Sequence, residues 1–219
     1  ERSGTNLLRA IVSANKAVAS PPPAGLAATL ARSSFRYISP LKSPHVHELV
    51  LDALAITQAH FSPWDVKIPP EEVINDSSPA SFWSIFRTMN EIYARKNGSD
   101  FWFSKEPDLF KFIYEIALHM PDAKFVYMVR DGRDVAASML KGGLHEFDII
   151  SAARRWADNQ QYCLTALSDP LLRDRICMLK YEELISSPET VGQALMKFIG
   201  LEFESSQLEY YKKDEVVAH

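Results

Sequence analysis

Residues 124–129 read Lys-Phe-Val-Tyr-Met-Val and run directly into Arg130, Asp131, Gly132 and Arg133. Five consecutive apolar residues rich in β-branched and aromatic types are too few for a helix. They predict a strand buried on both faces, a burial pattern found in parallel sheets covered by helices. A helix is predicted from Asp134 to about Lys141, and the same alternation recurs on both sides. Phe101-Trp102-Phe103 reads as a short aromatic strand ahead of Lys105-Glu106-Pro107 and a helix over roughly 108–119. A further strand is predicted over 176–179, followed by Tyr181 and a helix over roughly 188–199 closed by Gly200. Strands alternating with helices predict an α/β fold of three layers, with a central parallel sheet flanked by helices. At 219 residues the whole chain, 1–219, is expected to be a single domain.

In open parallel sheets ligands sit beyond the carboxyl ends of the strands, and the polar residues at these ends are mostly cationic. Lys105 follows the first strand, Arg130 the second, and Lys180-Tyr181 the third. The chain also opens on Arg2-Ser3-Gly4-Thr5-Asn6-Leu7 ahead of a helix predicted from Thr5 or Asn6 to about Ala14. Orphan backbone amides at a helix start, with hydroxyls and a cation beside them, make an anion cradle. Such loops normally follow a buried strand, so a strand is expected in residues preceding Glu1. Ser138 lies eight residues after Arg130, one to two turns into its helix, where it can reach the same oxyanion as Arg130. Taken singly, Ser-Gly-Thr makes an ordinary turn and a charge beyond a strand merely solvates it. Two strand-end cations together with the cradle favour an anionic ligand.

The remaining sequence narrows the partner class. A net charge of −4 argues against a surface built for nucleic acid polymers. No apolar run approaches the roughly 18 residues of a membrane span, and the chain is expected to be cytoplasmic. Cys163 and Cys177 lack CxxC spacing, so neither a disulfide framework nor a zinc site is expected. His45, His47 and His60 lack a further ligand in register, and no metal site is expected of them. Pro21-Pro22-Pro23 reads as a surface connector in preference to a stiff polyproline segment along a cleft edge, and residues 62–78, with Pro63, Pro69 and Pro70, read as loop. Helices are predicted over 26–34, 45–60 and 79–96, so residues 26–97 are expected to be a helical insertion, forming either a lid or an acceptor-side wall. The aromatic residues Phe82, Trp83 and Phe86 recur there at the spacing of a helix core.

These motifs resemble those of the sulfotransferases that use 3′-phosphoadenosine 5′-phosphosulfate (PAPS). Arg-Ser-Gly-Thr-Asn-Leu-Leu resembles that family's 5′-phosphosulfate loop. The stretch from Phe125 to Leu140, with Arg130 and Ser138, resembles its 3′-phosphate element. Met178-Leu179-Lys180-Tyr181-Glu182-Glu183-Leu184 resembles its later strand and Tyr-Glu-x-Leu turn, and Trp102-Phe103-Ser104-Lys105-Glu106-Pro107 sits where many members carry a lysine. The resemblance implies a P-loop-NTPase-like sulfotransferase fold and transfer of a sulfuryl group from PAPS to a small-molecule or glycan hydroxyl, leaving 3′,5′-ADP (PAP), with no metal. It implies that Arg2, Ser3, Gly4, Thr5, Asn6 and Leu7 hold the phosphosulfate. Arg130 and Ser138 would then hold the 3′-phosphate, and Tyr181 would contact the nucleotide near its adenosine. Arg2 and Lys105 would stabilise charge growing on the departing phosphate oxygen. The Gly-Lys-Ser/Thr ending of nucleoside-triphosphate loops is missing, which counts against the alternative of a kinase-like phosphotransferase. Where members read Lys-x-His this chain has Lys105-Glu106-Pro107, so Glu106 is the first candidate for the base, with Asp108 behind it. A capping role for either carboxylate fits the sequence equally, and the absence of a certain base keeps a non-catalytic nucleotide-binding scaffold as a second alternative.

Overall fold

A computed structural model describes residues 2–37, 43–77, 81–142 and 148–212. The chain is an α/β protein of parallel strand pairs flanked by helices, divided into two compact units. One unit joins Glu1–Ile11 to Ile113–His219, and the other is Val12–Phe112.

In the Val12–Phe112 unit, β1 (Val18–Ala19) runs parallel to β2 (Phe101–Trp102), with Val18 opposite Phe101 and Ala19 opposite Trp102. The connection between them is helical: α2 (Leu26–Leu30), a 3₁₀ segment (Ala31–Tyr37), α3 (Ser43–Ala59), α4 (Pro70–Asp76) and α5 (Phe82–Lys96). Helix α5 follows from its sequence. Phe82, Ile85, Phe86, Met89, Ile92 and Tyr93 recur every three or four residues, and all six are buried. Ser81 caps the helix by accepting the Ser84 amide at 3.0 Å, while Ser84 Oγ accepts the Ser81 amide at 2.8 Å. The chain leaves α5 through Gly98 at φ +70°, a left-handed value that suits glycine.

Two sequence expectations fail in this unit. Residues 62–78 are not all loop, because α4 occupies Pro70–Asp76. Proline at the first helical position costs no hydrogen bond and presets φ, and Glu71 and Glu72 favour the positive end of the helix dipole. The proline run is not a surface connector either: Ser20, Pro21 and Pro22 are buried. A proline has no amide to satisfy, and the Pro22 carbonyl receives the indole N–H of buried Trp64 at 2.9 Å. Strand β1 is not legible in the sequence, because Val18–Ala19 lacks the aromatic run that marks the equally short β2.

In the other unit, α1 (Thr5–Ser13) begins beside the chain start and continues into Val12–Phe112. A 3₁₀ turn at Leu109–Phe112 leads from Val12–Phe112 into α6 (Ile113–His119). Strand β3 (Phe125–Val129) pairs parallel with β4 (Ile176–Lys180) over five positions, from Phe125 opposite Ile176 to Val129 opposite Lys180. Helices α7 (Gly132–Lys141) and α8 (Ile149–Ser168) link the strands, and α9 (Tyr181–Ser186) and α10 (Pro188–Ile199) follow. The first two pack through Val135, Ala136, Met139, Ala152 and Trp156. The Arg175 guanidinium donates to the carbonyls of Met120 at 2.8 Å and Ala123 at 2.9 Å, satisfying acceptors beyond the end of α6. Of the β3 residues only Met128 is fully buried. The strand has β4 as its single partner among the described residues and is less enclosed than its apolar run predicts.

Among the described residues no helix is long and apolar enough to cross a membrane. His45 and His47 are exposed, and no group of three or more His, Cys, Asp or Glu side chains could hold a metal ion among the described residues.

Candidate active site

The pairing register of β3 and β4 builds the centre of the site. Because Val129 stands opposite Lys180, the next residues of both strands emerge side by side at the carboxyl ends. The Arg130 guanidinium carbon lies 4.4 Å from the centre of the Tyr181 ring, a cation–π contact. One residue further out, the Asp131 amide donates to Glu182 Oε1 at 2.9 Å. The Asp131 side chain caps α7: Oδ1 accepts the Arg133 amide at 2.8 Å, and the Arg133 guanidinium forks onto the carboxylate at 3.0 and 2.6 Å. Arg133, through that fork, holds the Asp131 carboxyl at a pKa of about 2, against an ordinary 3.8.

That shift predicts a pH dependence. The folded value lies below the unfolded one, so the ionised carboxylate favours the folded chain. Its contribution is complete above about pH 4 and is lost as pH falls towards about 2. Thermal midpoints followed from about pH 5 to pH 2 are expected to fall less steeply for Asp131→Asn than for the wild type.

The opening segment packs against the same ring. Helix α1 begins at Thr5, and the Leu8 amide closes its first turn on the Gly4 carbonyl at 3.1 Å. The amides of Thr5, Asn6 and Leu7 therefore have no acceptor within the helix. Gly4 sits at φ +83°, and a Cβ there would lie 2.2 Å from Tyr181 Cδ2, so conformation and space both require glycine. Arg2 also adopts a left-handed backbone, at φ 58°, which is uncommon for a side chain of its size. Its Nε donates to Ser138 Oγ at 2.9 Å, while Arg130 Nη1 donates to the Arg2 carbonyl at 3.2 Å.

Arg2, Ser3, Gly4, Thr5, Asn6, Leu7, Arg130, Ser138 and Tyr181 thus belong to one unit, and direct contacts link Arg2, Gly4, Arg130, Ser138 and Tyr181. The carboxylate paired with Arg130 is Asp134, 3.8 Å away and 61% exposed, a geometry that neutralises little charge. Arg130 Nε is buried with no acceptor among the described residues. Two guanidiniums, a hydroxyl and three orphan amides are equipped to bind an anion with more than one oxyanion group.

Three residues of this arrangement were missed in the sequence: Glu182, Gly132 and Trp156. A Cβ at Gly132 would lie 3.0 Å from the Trp156 indole, so glycine lets α8 approach the first turn of α7. A glycine directly inside an Arg-Asp-x-Arg turn was the available signal.

Lys105 and Glu106 belong to the Val12–Phe112 unit, three and four residues beyond β2. Glu106 Oε1 accepts the Ala24 amide at 2.7 Å, ahead of α2, whose first turn begins at Gly25 (φ +76°) without a side-chain cap of its own. Burial pushes the Glu106 carboxyl above its ordinary value, opposed by the amides of Ala24, Leu26 and Gly25 and by the Lys105 charge. Oε2 is shielded and finds no partner among the described residues. Asp108, at φ 60°, places its carboxylate 2.8 Å from Lys111 Nζ.

A family model described as the sulfotransferase family matches residues 1–205. The chain belongs to the sulfotransferase family. Over 112 residues this chain is 27% identical to the protein-tyrosine sulfotransferase of Drosophila melanogaster, covering 49% of the chain. It spans 22% of that relative's length. Its fold is similar to that of the sulfotransferase domain from the curacin biosynthetic pathway, with a TM-score of 0.62 and 22% identity, covering 97% of this chain and 75% of that one. The sulfotransferase domain from the Synechococcus PCC 7002 olefin synthase is also similar, with a TM-score of 0.63 and 19% identity over 99% of this chain and 76% of that one.

Proposed function

We propose that this sulfotransferase uses PAPS as donor and transfers its sulfuryl group to the hydroxyl of a small-molecule or glycan acceptor, releasing PAP. The observation that carries the reading is the convergence of Arg2, Arg130 and Ser138 beside the start of α1. PAPS has two separate anionic ends, and the residues divide accordingly. Ser3 to Leu7 supply amides and hydroxyls to the phosphosulfate, and Arg130 and Ser138 supply charge-assisted donors to the 3′-phosphate. Tyr181, whose ring is stacked with Arg130, would contact the nucleotide near its adenosine.

The donor supplies an activated sulfuryl group on a leaving 5′-phosphate. As the acceptor oxygen bonds to sulfur, the bond from sulfur to the phosphate oxygen breaks, and the hydroxyl proton passes to a base. Arg2 stabilises the charge that grows on the departing oxygen, and Lys105 is proposed as a second cation for it. A sulfuryl group carries less charge than a γ-phosphoryl group, which suits a site built on fixed cations. Glu106 is proposed as the base: its backbone anchor orients the carboxylate and its raised pKa strengthens it as a proton acceptor.

Incubation with ³⁵S-labelled PAPS and panels of sugar, phenol, peptide-tyrosine and lipid hydroxyls tests the reading. Label is expected in one acceptor class with equimolar PAP. Tight binding of PAP without transfer to any class would leave the non-catalytic scaffold instead.

A further inference from the structure

The loop that leaves β3 and the first turn of α9, which follows β4, are joined twice, one contact for each residue beyond the paired strand ends. Arg130 stacks on Tyr181, and the Asp131 amide donates to Glu182 Oε1 at 2.9 Å. The second contact holds the backbone and not a side chain. Asp131 sits at φ −48° and ψ 124°, outside helical space, and its carboxylate is already committed to the start of α7 and to Arg133. The loop therefore depends on a neighbour to fix the peptide that follows Arg130. Glu182 is that neighbour, supplied by the first turn of α9, which follows β4 directly.

We propose that Glu182 is a positioning residue for the nucleotide's 3′-phosphate: by holding the Asp131 amide it sets the direction in which Arg130 leaves β3. This rests on the reading that Arg130 meets the 3′-phosphate. Glu182 is exposed and lies outside the cluster of Arg2, Ser138 and the α1 start, so it acts through Arg130. The carboxyl of Glu182 is held below its ordinary range chiefly by the Asp131 amide. The charges around it pull in opposite directions, with Asp131 raising it and Arg130 lowering it. Reach is what the contact requires. Glutamine keeps an acceptor oxygen at the same distance from the backbone, whereas aspartate keeps the charge but is one methylene too short.

The test is calorimetric titration of 3′,5′-ADP and 5′-ADP into the wild type and the variants Glu182→Ala, Glu182→Gln and Glu182→Asp, each with its thermal midpoint. The wild type is expected to prefer 3′,5′-ADP. Glu182→Ala and Glu182→Asp are expected to lose about tenfold of that preference while 5′-ADP affinity stays unchanged, the effect of one lost charge-assisted hydrogen bond. Glu182→Gln is expected to keep it. Full preference in Glu182→Ala, equal losses for both nucleotides, or retention by aspartate with loss by glutamine would overturn the proposal while the Arg130 reading stands. Should the alanine variant not fold, the contrast between glutamine and aspartate decides alone. A wild type that binds both nucleotides equally would remove the Arg130 reading itself, and that result is visible before any variant is made.

Discussion

Arg130→Ala is expected to lower kcat/KM for PAPS by about a hundredfold, most of it in KM, because charge-assisted hydrogen bonds to a phosphate are worth about 3 kcal/mol at their upper range. The side chain is prepared for that role before any ligand arrives. Its guanidinium is held by the Tyr181 face and the Arg2 carbonyl, and its Nε has no acceptor among the described residues. Truncation also removes the contact to Arg2, so some loss of kcat is expected through misplacement of Arg2. Arg130→Lys keeps the charge but not the fork, and is expected to recover only part of the affinity. Steady-state kinetics with PAPS varied at saturating acceptor separate the two effects. An unchanged KM in Arg130→Ala would place the 3′-phosphate elsewhere.

Glu106→Gln is expected to lower kcat by about 10²- to 10⁴-fold, the range for removal of a general base. Its thermal midpoint is expected to match the wild type, because the amide oxygen still accepts the Ala24 N–H that Glu106 Oε1 receives at 2.7 Å. That pairing distinguishes a base from a cap. A residue acting only as a cap would give full turnover in Glu106→Gln and a lowered midpoint in Glu106→Ala. Burial raises the Glu106 pKa, so the deprotonated base fills only above the ordinary carboxylate range. Activity is therefore expected to rise with pH along a limb displaced upwards from the ordinary carboxylate value of 4.5. The same limb is expected to be missing from Glu106→Gln. Undiminished turnover in that variant would remove Glu106 as the base.

What could be read from the chain alone was whatever is written locally. Five apolar residues followed by Arg-Asp-Gly-Arg mark β3 and the start of α7, and the spacing to Ser138 sets that serine on the same helix. The apolar spacing of α5 marks its buried face in the same way. Pairing between distant strands is not written locally. Nothing in the sequence states that Val129 stands opposite Lys180, yet that register brings Arg130 to Tyr181 and Asp131 to Glu182. Glu106 shows the same limit, since its acceptor role depends on an amide 82 positions away. Helix α4 was hidden for a different reason. Proline breaks a helix interior, whereas Pro70 occupies the first helical position, which suits it. The average exposure of proline likewise does not anticipate that Trp64 satisfies the carbonyl of the buried Pro22.

A ligand gripped at two anionic ends, by the start of α1 and by Arg130 with Ser138, must lose affinity when one of its anions is removed. The most direct measurement is the ratio of wild-type affinities for 3′,5′-ADP and 5′-ADP, which differ by the 3′-phosphate alone. A preference of about a hundredfold for 3′,5′-ADP is predicted, the equivalent of about 3 kcal/mol. Equal affinity for the two nucleotides would mean that Arg130 and Ser138 do not hold the 3′-phosphate.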